Sequence, residues 1–252
     1  MGKFLVYWAL VWLELGLAAI TFVALRLVPA PYGRHARPGW GPTVSTRTGW
    51  LIMESPAVLF VGAVYLAGSQ RGAPVPLVLL ALWMLHYLQR WLLFPFRLRP
   101  SARRMPILVV GLGVTFNLLN GYINARWISE LGAYPLAWLG DGRFLAGAAL
   151  FLGGLAINVT SDRTLLRLRA PGETEYRVPR GGLFEWVSCP NYLGEIVEWF
   201  GWALATWSWA GLAFAIYTAA NLGPRAMTHH AWYRRSFAGY PARRRALVPG
   251  LL

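Results

Sequence analysis

The sequence predicts an all-α, polytopic membrane protein with seven transmembrane helices, its N-terminus outside and its C-terminus cytoplasmic. Three observations carry this expectation. Apolar runs of about 18 or more residues, enough to span a bilayer, recur along the 252-residue chain. Charged residues make up 13% of the chain against 56% hydrophobic, where a soluble domain carries about 25% charged residues. Loops rich and poor in arginine alternate without exception, which orients the spans.

The spans are expected at roughly 4–25, 48–68, 74–96, 106–124, 144–161, 185–205 and 208–224. The first is too long for a signal peptide. It contains Glu14, and Arg26-Leu27-Val28-Pro29 follows it where a small-residue cleavage site would stand. The loop after it carries Arg26, Arg34, Arg37 and Arg47, whereas the next carries only Arg71. Arg97, Arg99, Arg103 and Arg104 follow the third span, and Arg126 and Arg143, offset by Glu130 and Asp141, follow the fourth. The fifth leads into Arg163, Arg167, Arg169, Arg177 and Arg180. Its loop, about 162–184, has turn chemistry at Pro171-Gly172 and Arg180-Gly181-Gly182, so it reads as ordered. The last two spans divide one apolar stretch, Tyr192 to Leu222, that exceeds a bilayer as a single helix. Thr206-Trp207-Ser208-Trp209-Ala210-Gly211 forms the expected interfacial hairpin between them. The segment of about 225–252 is basic and cytoplasmic. Residues 1–252 read as one membrane-embedded domain, without internal repeats.

The net charge is +14, and Lys3 is the only lysine beside 23 arginines. Basic cytoplasmic loops explain this better than a nucleic-acid surface. The preference for arginine fits either a GC-rich bacterial genome or phosphate binding by a planar fork. A single cysteine, Cys189, excludes an intrachain disulfide and multi-cysteine metal sites. Its position before a helix start allows a depressed thiol pKa, and a small apolar filler is the plainer role.

Polar residues within spans are costly in lipid and mark candidate sites. Asn191, Glu195 and Glu198 lie at i, i+4 and i+7, on one face of a helix. Asn158 and Asp162 form a second i, i+4 pair. Glu14 has no obvious partner. Glu54 in the second span and Tyr87 in the third could polarise a ketone, a buried neutral carboxyl and a phenol both being hydrogen-bond donors. Alternatively, Glu54 pairs with Arg90 or His86 and only ties two helices together. The arginines with Asn158, Asp162 and Tyr176 suit an anionic cofactor. No Rossmann or P-loop fingerprint is present, since Gly111-Leu112-Gly113 lies inside a span. Adjacent His229 and His230 project differently on a helix and lack a third ligand, so no metal is expected.

These residues resemble the steroid 5-alpha-reductase family (3-oxo-5-alpha-steroid 4-dehydrogenase) over nearly the whole chain. The resemblance rests on Leu85-His86-Tyr87, Asn158-Val159-Thr160-Ser161-Asp162 and Arg169-Ala170-Pro171-Gly172-Glu173. It continues through Tyr176 to Phe184, Asn191 to Trp199, Arg225 to Tyr233, and Tyr240-Pro241 through Pro249. It implies a bacterial homologue in the inner membrane, with NADPH from the cytoplasm reducing the carbon 4–carbon 5 double bond of a 3-oxo-Δ4-steroid. A lipophilic, steroid-like substrate would enter from the bilayer; no nucleic acid and no obligate protein partner are implied. The ketone-contacting pair maps onto Glu54 and Tyr87. Cofactor contacts map onto Arg90, Asn158, Asp162, Arg169, Tyr176, Arg177, Asn191, Glu195 and Tyr233, with His229 and His230 nearby. Met53 stands where the family has glutamine, a departure that bears on the substrate contacts. Other readings are a membrane methyltransferase of the isoprenylcysteine type, which shares an Asn/Glu helix and basic tail, a reductase of another lipophilic enone, and a transporter or lipid-binding protein.

Overall fold

The computed structural model describes residues 2–98, 104–168 and 175–252. The protein is all-helical apart from one short ladder. Helix α1 (Gly2–Leu27) leads to strand β1 (Thr43–Ser45) and α2 (Thr46–Leu66). Helix α3 (Pro74–Leu88) continues through a π-helical turn, Gln89–Leu93, into α4 (Phe94–Arg97). Strand β2 (Arg104–Pro106) pairs antiparallel with β1 and opens α5 (Ile107–Arg126). Then come α6 (Gly142–Arg167), α7 (Pro190–Thr206) and α8 (Trp209–Ser236). Five segments are long and apolar enough to cross a membrane: Phe4–Leu27, Thr46–Leu66, Pro74–Arg97, Ile107–Leu131 and Gly142–Arg167. This is a multi-pass membrane protein.

Local chemistry sets the boundaries. Ser45 caps α2 by accepting from Thr48 N at 3.1 Å, and Asp141 caps α6 by accepting from Arg143 N at 2.8 Å. The sixth span was expected from residue 185, but the helix begins at Pro190, whose missing N–H suits the first helical position. The hairpin after α7 is as tight as expected. Trp207 takes the left-handed conformation (φ 45°), and Ser208 caps α8 by accepting from Gly211 N at 2.9 Å. Helix α8 outruns its predicted end at 224 and continues past Pro224 to Ser236. Tertiary packing accounts for this, because buried Ala226 sits against Cys189 and Leu247 of the C-terminal segment.

Helix α1 lies against α8, α2 against α5, and α6 against α7. Along α1, Tyr7, Val11, Glu14 and Ala18 are buried at helical spacing, whereas Leu5, Trp12, Leu13 and Ile20 are exposed. The central core is aromatic. Trp83, Tyr87, Phe151, Trp199, Trp202 and Phe214 cluster together, with Trp199 and Phe214 rings 4.2 Å apart. The indoles are satisfied: Trp83 Nε1 donates to Ala57 O at 2.8 Å, and Trp202 Nε1 donates to Asn124 Oδ1 at 2.8 Å.

The α6–α7 contact is made by backbone. Gly147 and Gly154 on α6 meet Gly194 and Gly201 on α7, both pairs seven residues apart. A Cβ on Gly194 would lie 2.6 Å from Asn158 N and 2.7 Å from Gly154 O. Small residues allow this close approach, as they do in membrane helix pairs generally. Gly194→Val is expected to cost about 1–3 kcal/mol or more through overpacking, read as a lower thermal unfolding midpoint in detergent. Gly153→Ala, with nothing within 4 Å of its Cβ, is the neutral control. Equal midpoints for the two variants would refute the seam.

Candidate active site

The α6–α7 seam sets two polar pairs against each other. Asn158 Nδ2 donates to Asn191 O at 3.0 Å and to Glu195 Oε2 at 3.1 Å. Asn191 Nδ2 donates to Asp162 Oδ1 at 3.0 Å. Arg90 completes the layer from the π-helical turn, with Nη1 3.2 Å from Asp162 Oδ2 and Nη2 3.9 Å from Glu195 Oε2. A π-helical turn shifts the register of the side chains after it, and such turns often accompany functional sites. Arg90 also stacks on Trp50, 4.7 Å from its ring centre. Five predicted site residues, Arg90, Asn158, Asp162, Asn191 and Glu195, thus form one connected network.

Glu198, on the same face of α7, turns to a different task. It is fully buried, and its Oε1 lies 2.8 Å from His86 Nδ1. The His86 ring in turn meets Tyr87 edge to face at 4.9 Å. Glu54 is therefore paired with neither His86 nor Arg90, the alternatives that spacing left open. Its hydrogen-bond neighbour is Asn117, whose Nδ2 lies 3.4 Å from Oε2. Glu54 on α2 and Tyr87 on α3 are both buried.

Side chains of α2 and of its neighbours clamp the turn of α2 that carries Glu54. Pro56 has no N–H for Ile52 O, and Ser55 Oγ donates there at 2.9 Å. Trp91 Nε1 donates to Leu51 O at 3.0 Å, and Asn117 Nδ2 to Met53 O at 2.7 Å. The Met53 side chain fills the notch left by Gly113 on α5.

A cleft adjoins the polar layer through Asn191. One part, about 280 Å³, is lined by Arg34, Asn191, Tyr192, His229 and Tyr233; the other, about 340 Å³, by Arg34, Tyr176, Arg177 and Tyr233. Arg34 is the residue that sequence reasoning missed, having counted it only among the topology-setting arginines. Its guanidinium lies over Tyr233, Trp232 and Tyr176 at 4.6, 4.8 and 5.3 Å, and among the described residues its buried Nη1 has no hydrogen-bond partner. His229 bridges His35 (2.9 Å) and Tyr192 (3.1 Å), and Arg225 donates to the Tyr192 hydroxyl at 3.1 Å. Burial, then Arg34, Arg225, Arg37 and Arg235, lower the His35 pKa to about 4. The cleft's positive charge at neutral pH therefore comes from arginine.

His230 points elsewhere, to Ser188 Oγ at 2.6 Å, and Ser188 also meets the Tyr240 hydroxyl at 2.7 Å. This clasp fastens the C-terminal segment to the entry of α7. Among the described residues no group of three His, Cys, Asp or Glu is arranged to hold a metal ion. Arg169 lies outside the described residues. Glu14 is buried, and among the described residues neither carboxyl oxygen has a hydrogen-bond partner.

The family model for 3-oxo-5-alpha-steroid 4-dehydrogenase matches residues 103–252. Steroid 5-alpha-reductase DET2 of Arabidopsis thaliana is 45% identical over 241 residues, covering 91% of this chain and 90% of its own. The 3-oxo-5-alpha-steroid 4-dehydrogenase 1 of Bos taurus is 43% identical over 251 residues, covering 97% and 96%. Its counterpart in Homo sapiens is 42% identical over 246 residues, covering 96% and 94%.

Cys189 follows the plainer of its two sequence readings, a small apolar filler: it is buried against Ala226 and Leu247. Burial pushes its thiol up to about 12, outweighing the opposing charges of Arg34 and Arg225. A thiol so raised stays neutral and unreactive near pH 7.5. Maleimide is expected to leave the folded protein unmodified and to label it once after denaturation in SDS, read by mass. Rapid labelling of the folded protein would contradict this.

Proposed function

The chain belongs to the 3-oxo-5-alpha-steroid 4-dehydrogenase family, and on that premise we propose that it uses NADPH to reduce the carbon 4–carbon 5 double bond of a 3-oxo-Δ4-steroid. The observation that carries this reading is the polar network of Arg90, Asn158, Asp162, Asn191 and Glu195 at the α6–α7 seam. Membership makes the chain an oxidoreductase.

The residues fit a nicotinamide dinucleotide. Among the described residues, buried Asn158 Oδ1 has no partner; it accepts hydrogen bonds only, beside the Glu195 carboxylate. A carboxamide N–H supplies the missing donor. Asn158, Asn191, Glu195, Asp162 and Arg90 would hold the nicotinamide end. Tyr176, Arg177, His229 and Tyr233, with Arg34 added, would hold phosphates and adenosine, since guanidinium groups bind phosphate as a fork. The orphaned Arg34 Nη1 supports this assignment. Arg169, one loop turn away in sequence, is assigned to the same group.

Bound NADPH supplies the hydride for carbon 5. Tyr87 and a protonated Glu54 donate hydrogen bonds to the ketone oxygen as negative charge builds there. The aromatic wall of Trp83, Trp199 and Phe214 excludes water and strengthens those bonds. Solvent or a relay delivers the proton to carbon 4. Glu198 holds His86 and so steadies the helix turn carrying Tyr87. A lipophilic substrate enters from the bilayer between helices. On this reading α7 and the first part of α8 are the sixth and seventh spans, with the Arg34 cleft on the cytoplasmic side. Met53 faces Gly113, so its thioether takes no part in polarising the ketone.

Purified protein incubated with NADPH and progesterone or testosterone is expected to yield the 5-alpha-reduced 3-oxosteroid. Reduction confined to a linear enone would overturn the substrate assignment. Tyr87→Phe is expected to lose most turnover, about 100-fold or more as for loss of an oxyanion donor, while still binding NADPH. Wild-type turnover in that variant would remove Tyr87 from the reaction. Glu195→Ala is expected to weaken NADPH binding more than steroid binding, measured by titration of each ligand. Unchanged NADPH affinity would refute the assignment of Glu195.

A further inference from the structure

The helix turn bearing Glu54 is held by donors that replace or supplement its own backbone hydrogen bonds. Pro56 interrupts the ladder, Ser55 Oγ serves Ile52 O, and Trp91 Nε1 serves Leu51 O. Asn117, from α5, serves Met53 O at 2.7 Å, and of these three donors it alone also reaches the Glu54 carboxyl. One turn earlier on α5, Gly113 receives the Met53 side chain, where a Cβ would overlap its Cγ and Sδ. That notch seats α5 against α2 and brings Asn117 within reach of the carboxyl.

We propose that Asn117 is a positioning residue for the reduction: its amide orients the Glu54 carboxyl so that Oε1 faces the substrate's ketone oxygen. An amide N–H can only donate, so the oxygen it meets must accept. Oε2 is that oxygen; a carbonyl oxygen accepts better than a hydroxyl oxygen, so this contact favours a proton on Oε1. Without Asn117 the carboxyl can rotate, and either oxygen can carry the proton. Donors in a reaction site act through fixed orientation, so this freedom lowers turnover while the binding of cofactor, made by other residues, persists. The inference rests on the reading of Glu54 as a ketone-binding group.

The test compares Asn117→Leu, Asn117→Asp, Glu54→Leu and the Glu54→Leu/Asn117→Leu double variant in liposomes, with NADPH and progesterone. Both Asn117 variants are expected to lower kcat about tenfold or more, with NADPH affinity within twofold of wild type. In the Glu54→Leu background, whose residual product is quantified by mass spectrometry, Asn117→Leu is expected to change kcat less than twofold. Such non-additivity marks two groups acting as one unit. Asn117→Asp keeps the shape and replaces the donor, so it carries the test if the leucine variant does not fold. The proposal is overturned if both Asn117 variants keep kcat within twofold of wild type. It is equally overturned if Asn117→Leu costs the same factor with and without Glu54. Wild-type kcat in Glu54→Leu would sink the reading of Glu54, and this proposal with it. Loss of activity in Glu54→Leu alone would sink only the positioning role.

Discussion

The contact on which the site depends is the glycine seam between α6 and α7. Gly147, Gly154, Gly194 and Gly201 let two backbones touch where side chains would hold them apart. The consequence is a short span for side-chain chemistry above the seam. Asn158 and Asp162 on one helix reach Asn191 and Glu195 on the other with direct hydrogen bonds of 3.0–3.1 Å. Helices one Cβ layer further apart would leave these groups solvated or unpaired. Apolar burial drives little helix association in lipid, so close backbone packing and polar bonds must carry it.

Charge compensation is the second constraint. Asp162 and Glu195 sit among apolar walls, and Arg90 meets both from the opposite side of the bundle. Arg90 stands in the π-helical turn Gln89–Leu93, three residues after Tyr87 and so on the same side of the helix. His86 and Tyr87, just before that turn, remain in register with Trp83 and face the aromatic core. One helix thus presents Tyr87 to the aromatic core and Arg90 to the carboxylates of Asp162 and Glu195. Glu198 extends the same logic inward through its 2.8 Å bond to His86.

Buried polar groups divide into satisfied and orphaned ones. Ser55, Trp91, Trp83 and Trp202 each find a main-chain or amide partner. Among the described residues, Asn158 Oδ1 in the polar layer and Arg34 Nη1 in the cleft are buried without one, as are Glu14 and Glu198 Oε2 within the bundle. Unpaired buried groups cost about 1–3 kcal/mol each, which is explicable where a ligand supplies the partner. The arginine cleft therefore reads as prepared for an anion, and its aromatic rings offer faces for stacking.

Much of this was legible from residue order. Apolar length located five of the seven expected spans, because a helix of given length crosses a bilayer whatever its neighbours. The i, i+4 pairs Asn158–Asp162 and Asn191–Glu195 identified the helix faces that form the polar layer. Local pattern could not supply the partners across helices. It left Glu54 between His86 and Arg90, whereas the fold gives it Asn117. It counted Arg34 with the topology signals, whereas three aromatic rings from distant segments enclose it. It ended the last helix at 224, whereas packing of Ala226 on Cys189 and Leu247 carries it to Ser236. Spans and faces follow from short-range periodicity, which the sequence states directly. Which faces meet depends on long-range backbone approach, and here glycine notches decided it.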